Sequence, residues 1–327
     1  MSVPLQNTQS PLHPAEAVHA ELVAVLVAVS QGQPRVLVRG NSHALPAGPL
    51  ESSHRSLQAG LRAWVEAQTH HPLGYIEQLY TFADRDRANR EGQRVISVSY
   101  LGLTCERDPA TLAGDAELDT GNWQDWYRYF PWEDWRGGTP GMVTHQIRPA
   151  LLGWSEAPDD AAARRQRRQR VVDTFGREDD DWNEELVLQR YELLFEAGLV
   201  PEARQRLEAG VQGLPQPIPG DVMLHDHRRI LATAMARLRA KIRYRPVVFE
   251  LMAPEFTLLQ LQQTFEAVAG RSLHKQNFRR FIEQQALVEE TGAMARGTAG
   301  RPAKLFQFRG DVMRERAIAG SKLPLAR

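Results

Sequence analysis

The chain has 327 residues, 42% hydrophobic and 24% charged, with 40 Lys or Arg balanced by 40 Asp or Glu and a single cysteine. That length allows one large domain or two ordinary ones around a core needing neither disulfides nor structural metals. No apolar run approaches the roughly 18 residues of a membrane span, the start lacks a basic region followed by an apolar core, and Cys105 has no second cysteine to pair with, so the expectation is a cytoplasmic protein with no membrane partner.

Residues 1–17 are rich in Pro, Ser and polar residues and read as a flexible N-terminal tail. "AELVAVLVAVS" and "GQPRVLVRGN" follow as a strand pair joined at a Ser-Gln-Gly-Gln-Pro turn. In "LPAGPLESSHRSLQAGLRAWVEAQT" a Gly-Pro loop leads into an amphipathic helix, with Leu57, Leu61, Trp64 and Val65 on one face. "YIEQLYTFADRD" and "QRVISVSYLGLT" read as two more strands around a polar, Arg-rich turn. The segment "TGNWQDWYRYFPWEDWRGGTPG" carries four Trp among acids, Gly and Pro, which predicts a long loop or cover packed by its own aromatics. Two helices are expected in "DDAAARRQRRQRVVDTF" and "WNEELVLQRYELLFEAGLV", the second ending near Gly198. The five Arg between 164 and 170 fit a solvated helix face better than a nucleic-acid contact. A Pro-rich break then precedes a long helix that Asp226 can cap and Pro246 should end.

The remainder reads as a short helix near "VVFELM", a helix after Thr257, a turn through Gly270, a helix "HKQNFRRFIEQQ", and a strand, Gly-rich turn and strand. That order is a winged helix-turn-helix. On the supporting helix Leu258, Leu261, Phe265 and Val268 share a face; on the next, Phe278, Phe281 and Ile282 point inward. Gln276, Arg279, Arg280 and Glu283 point the other way, flanked by Lys275 and Asn277. Arg can donate two hydrogen bonds to guanine and Gln or Asn can pair with adenine, so this face suits a major groove. Arg301 and Lys304 lie at the hairpin tip, within reach of phosphates or a minor groove. From Pro254 onward twelve Lys or Arg stand against seven Asp or Glu, so the basic surplus falls where a polyanion would dock.

"FTLLQLQQTFEAVAGRSLHKQNFRRFIEQQALVEETG", followed by "GRPAKLFQFR", resembles the DNA-binding end of the Nudix-related transcriptional regulators of NAD metabolism, the NrtR type and the similar NadQ type. The resemblance runs from about Arg228 to Arg309 and implies a Nudix fold in the earlier part of the chain. The Nudix box is Gly, five residues, Glu, seven residues, Arg-Glu, an apolar residue, any residue, Glu-Glu, any residue and Gly. Laid on this sequence, Gly48, Arg62 and Glu66 keep their places, Trp64 is the apolar residue, and His54, Ala63, Ala67 and Thr69 replace the first Glu, two further Glu and the last Gly. One Glu and one His are a poor donor set for Mg ions, which want several oxygen ligands and lose water reluctantly. The expectation is therefore no catalytic residues, no metal site and no required cofactor.

The strings "YTFADRD" and "RVISVSYLGL" also resemble the sensor domains of these regulators, whereas the region from 115 to 200 fits the short members less well and reads as an elaboration of the longer NadQ-like branch. The resemblance implies an effector nucleotide such as NAD or ADP-ribose. Candidate ligand-binding residues are Arg39, Gly48, Arg62, Glu66, Phe82 and Arg94, with Arg85 and Arg87 as further phosphate contacts and Tyr80 as an alternative stacking ring. Arg62 and Glu66, one helical turn apart, can equally form an ion pair that braces the loop.

The expected architecture is α+β: a Nudix-like mixed sheet with flanking helices over 18–245, an insertion at about 115–200, and a winged helix over 246–327. The expected function is a repressor of NAD biosynthesis or salvage genes that binds double-stranded operator DNA as a homodimer. Two other classes stay open: an active Nudix-type pyrophosphatase with an appended winged helix, and a purely structural interaction module.

Overall fold

The computed structural model describes residues 18–40, 43–69, 73–83, 93–105, 122–177, 182–206, 216–244, 247–295 and 302–310. Its first half is a sheet ordered β4-β5-β1-β2-β6, with β3 paired to β1. The strands are β1 (His19–Ser30), β2 (Gln33–Val38), β3 (Ala47–Pro49), β4 (Tyr75–Phe82), β5 (Val95–Leu103) and β6 (Asn122–Asp125). β1 runs parallel to β5 and antiparallel to β2 and β3, so the sheet is mixed. Gln31 and Gly32 both take positive φ, 52° and 71°, as a two-residue hairpin turn with the right twist requires.

β1 explains its own composition. Leu22, Ala24 and Leu26 face helix α1 (Leu57–Thr69), together with Leu61, Val65 and Tyr100. Val23, Val25 and Val27 face the opposite layer, which contains helix α6 (His227–Tyr244). A strand covered on both sides reads as a continuous apolar run instead of an alternating one.

The aromatic segment departs from expectation at its start. It is not all loop: Asn122–Asp125 forms edge strand β6 against β2, pairing Leu37 with Trp123. The segment is thus joined to the sheet by backbone hydrogen bonds, which no side-chain periodicity in so short a strand could announce. It continues in two 3-10 turns, 126–128 and 131–133, with Asp125 capping the first. Trp126, Tyr129, Phe130 and Trp132 are fully buried. A π-helical turn at 143–147 leads into α2 (Arg148–Glu156), followed by α3 (Ala161–Phe175), α4 (Val187–Glu196) and the short α5 (Pro201–Arg206). Along α3, Arg168 and Arg170 pair with Glu156 and Glu196 on neighbouring elements, while Arg167 lies over Trp154.

After α6 comes a 3-10 turn at 247–251, then α7 (Leu258–Ala269), α8 (Lys275–Gln285) and the antiparallel hairpin of β7 (Val288–Met294) and β8 (Lys304–Phe308). Phe256 bridges Phe306, closing a third rung on that small sheet. Phe256, Leu261, Phe265, Val268, Phe278 and Ile282 belong to the same apolar cluster as Val23, Trp132 and Met235. The winged helix therefore packs directly on the rest of the chain. Among the described residues no helix is long and apolar enough to cross a membrane.

Candidate nucleic-acid interface and effector site

The helix-turn-helix is set by local signals. Thr257 caps α7 in a capping box with Gln260, each side chain bonding the other's backbone N–H. Gly270 ends α7 at φ 72°, a left-handed position that a Cβ would make costly. Phe278 and Ile282 bury the inner stripe of α8, with Phe278 edge-on to Phe265 at 5.4 Å. Phe281, expected to point inward with them, is instead 37% exposed. Only the i, i+4 pair Phe278 and Ile282 of this eleven-residue helix is buried, and position 281 falls on its flank.

Lys275, Gln276, Asn277, Arg279 and Arg280 are all exposed, and among the described residues none makes a side-chain hydrogen bond or ion pair. Three cations and two amides are therefore presented side by side with their donors unspent. Lys304, on the wing, pairs with Glu290 at 2.8 Å, both half open to solvent. Such a pair contributes about 0–1 kcal/mol and can be exchanged for a phosphate. Arg301 lies outside the described residues.

In the segment that resembles a Nudix box, Gly48 on β3 pairs with Leu22 of β1. A Cβ there would stand 2.3 Å from the Trp64 ring, whose Nε1 donates to the Pro49 carbonyl at 2.8 Å. Glycine is required because an indole lies flat on the strand. Gly48→Ala is expected to displace that ring and cost about 1–3 kcal/mol, as overpacking does. A thermal melt checks this, and the added substitution Trp64→Leu should recover part of the loss.

Arg62 does not brace Glu66. Its guanidinium donates to the carbonyls of Leu73 and Gly74, tying α1 to the start of β4, while Glu66 is exposed. The two carbonyls engage both terminal nitrogens of the guanidinium, whereas an exposed ion pair one helical turn apart contributes only about 0.5 kcal/mol. His54 Nδ1 accepts the Glu51 backbone N–H at 3.1 Å and sits against Gly60. With that nitrogen engaged, Ala at 63 and 67 and Glu66 alone, the residues do not fit a Mg cluster, and among the described residues no group of three or more His, Cys, Asp or Glu could hold a metal.

The remaining candidates do not converge. Phe82 is opposite Ser97, and Arg94 precedes β5 at the end of the sheet where β1 begins; Arg62 reaches the opposite end, where Tyr75 faces Leu103. Phe82 is only 2% exposed, under the Arg229 guanidinium, so it is a core residue and not a free stacking surface. Its neighbour Tyr80, 60% exposed on edge strand β4, is the ring open to a ligand. Side chains alternate along a strand, and the even positions of β4 do not all face one way because a bulge interrupts it between Gln78 and Thr81. Arg94 donates to the Ala83 carbonyl at 3.2 Å, and Arg39 is half buried beside its backbone bridge to Ala44. Arg85 and Arg87 fall outside the described residues.

What sequence reasoning missed is a set of buried charges. Glu133 lies between Arg190 (2.6 and 2.8 Å) and Arg239 (2.7 Å), with exposures of 0%, 0% and 1%. Nearby, Arg228 bonds Glu202 and the Tyr129 carbonyl and stands beside the rings of Phe130, Trp132 and Tyr191. The signal was available: Arg228 and Arg239 fall on the same stripe of α6 as Leu231, Met235, Leu238 and Ile242. Charges on an apolar stripe are buried only with partners.

Residues 248–308 match the family model for the NrtR DNA-binding winged helix domain. This segment resembles an NrtR-type winged helix. The chain is 41% identical over 83 residues to the ADPR responsive transcriptional repressor NtrR of Acinetobacter baylyi; that stretch is 25% of this chain and spans about a third, 33%, of the relative. Over most of its length it shares the fold of Shewanella oneidensis NrtR crystallised with a 27mer DNA, with a TM-score of 0.51 and 20% identity, covering 90% of this chain and 95% of that one. A MutT/nudix family protein from Enterococcus faecalis gives a TM-score of 0.50 at 16% identity, over 92% and 90% of the two chains. The fold is accordingly a Nudix-like mixed α+β domain followed by an NrtR-type winged helix.

Proposed function

We propose that this protein is a ligand-responsive transcriptional regulator, a repressor of genes of NAD biosynthesis or salvage, with ADP-ribose or a related adenine nucleotide as its effector. The observation that carries the reading is the NrtR-type winged helix presenting Lys275, Gln276, Asn277, Arg279 and Arg280 unpaired among the described residues. The nucleotide is suggested by the Acinetobacter baylyi relative, whose name says that it is ADPR responsive. Residues 18–245 would form the effector domain and 246–327 the DNA-binding domain, working as a cytoplasmic homodimer, since two half-sites multiply the modest affinity of one module.

A regulator must bind its signal without consuming it. The altered carboxylate positions at 54, 63 and 67 support binding without hydrolysis. Incubated with Mg²⁺ and ADP-ribose, the protein is expected to release no AMP; steady release would favour the pyrophosphatase reading.

The decisive test is a gel shift with DNA from the protein's own promoter, titrated with ADP-ribose, NAD and ATP. Retardation at low salt that one nucleotide alters supports the reading. No retardation sinks the regulator, and retardation indifferent to all three sinks the sensor.

A further inference from the structure

The end of α7 is held by the rest of the chain. Three of its last carbonyls are taken by groups from outside the helix-turn-helix: Ala267 by the Tyr127 hydroxyl at 2.7 Å, Val268 by Arg239 Nε at 3.0 Å, and Gly270 by the Trp135 backbone N–H at 2.7 Å. The next two residues continue the seam. Arg271 pairs with Glu184 at 3.1 Å beside the Trp135 ring, and the Ser272 hydroxyl donates to the Arg136 carbonyl at 2.7 Å. Behind this seam, Arg136 reaches the β1–β2 turn at Gly32 and Gln33.

Two guanidiniums against one carboxylate leave this buried cluster with an excess positive charge. Helix C-termini supply the compensation: Arg190 also donates to the Thr174 carbonyl at the end of α3, and Arg239 to Val268 at the end of α7. Each helix end carries about half a negative charge. The shared carboxylate and these carbonyls meet the two guanidiniums together only in the mutual placement that α3, α4, α6, the aromatic segment and α7 have here. Gly270 has no slack either, because a Cβ would lie 2.5 Å from the Glu133 carbonyl and 2.8 Å from the Tyr127 hydroxyl.

We propose that Tyr127, Glu133 and Arg239 are positioning residues that fix the turn between α7 and α8 on the effector domain, so that a change in that domain reaches the recognition helix through them. This rests on the regulator reading above. None of the three belongs to the exposed face of α8, and all three are buried. An apolar seam would hold the same area together but tolerate sliding; directional bonds to defined carbonyls specify a single placement.

The test uses the full chain with Tyr127→Phe, which removes the donor to Ala267 and a 3.3 Å acceptor of Arg239 without changing buried charge, and Ser272→Ala as a milder variant of the same seam. Hydrogen–deuterium exchange across 267–282 should quicken in Tyr127→Phe while that of β1 and β5 stays as in the parent. The ratio of promoter-DNA affinity without and with ADP-ribose should fall by about two- to tenfold, the worth of one hydrogen bond, with ADP-ribose affinity of the free protein unchanged. Unchanged exchange in both variants overturns the brace. Faster exchange with an unaltered ratio overturns the coupling, leaving a merely structural contact. A parent protein whose DNA binding ignores ADP-ribose defeats the ADP-ribose sensor reading and the coupling with it, whereas the exchange result still decides the brace by itself.

Discussion

Replacing Arg279 and Arg280 together by Ala is expected to abolish promoter binding at moderate salt while ADP-ribose affinity stays at the parent value. Both side chains are exposed on α8, among the described residues neither is engaged with the protein, and neither contributes to the core, so the fold should survive. Loss of a base-reading Arg costs about 1–3 kcal/mol, and a lost phosphate contact flattens the salt dependence by about one counterion. For two adjacent residues the combined loss should be roughly 10²-fold or more, short of strict additivity. Fluorescence anisotropy over a salt series separates the two roles. A uniform loss with a shallower slope marks phosphate contacts, whereas a loss confined to the cognate site marks base reading. Promoter affinity within twofold of the parent would show that the recognition face lies elsewhere.

The second large effect concerns stability. Glu133→Ala leaves two guanidiniums buried with their shared carboxylate gone, and breaking such a cluster by removing one partner costs about 3–5 kcal/mol. That is a large fraction of an ordinary domain's stability, so the melting temperature should fall by many degrees. Glu133→Gln keeps two of the hydrogen-bonding positions and should cost less. The effect also has a pH signature. Burial raises the Glu133 carboxyl, but Arg190 and Arg239 outweigh it and hold the group below its ordinary value of 4.5. A carboxylate held low contributes stability that is complete above the ordinary value and is lost as pH falls through the folded one. The margin of the parent over Glu133→Gln in urea should therefore be flat from about pH 6 to 8 and shrink in acid. A margin that grows in acid would mean that the buried carboxyl is protonated in the folded state.

The legible parts of this protein were those written in local pattern. The winged helix could be read because each of its signals sits within a few residues of what it specifies: the Thr257 capping box, the left-handed Gly270, the Phe278 and Ile282 stripe and the polar face between them. The resemblance of "LHKQNFRR" and "GRPAKLF" pointed the same way, and the family match over 248–308 agrees. The strand pair, α1 and the long helix α6 were legible for the same reason, since periodicity reports which side of an element is buried.

The candidate effector site was less legible because a motif states which residues occur and not what they touch. Arg62 and Glu66 stand one turn apart, yet Arg62 bonds the Leu73 and Gly74 carbonyls; Phe82 looked like a stacking ring and is core; Gly48 looked like a motif glycine and is the seat of Trp64. Each outcome depends on a partner distant in the chain or across the sheet.

By itself, then, the sequence determined the kind of the strongly periodic elements, the polar residues offered to solvent on α8, and the shortage of carboxylates between Gly48 and Thr69, because composition and spacing act locally. Only the tertiary structure decided that β6 joins the sheet, that Glu133 is shared by two arginines, and that the turn between α7 and α8 is bound to the aromatic segment. Buried charges and helix ends must be satisfied by some partner, but which one is settled when the whole chain packs.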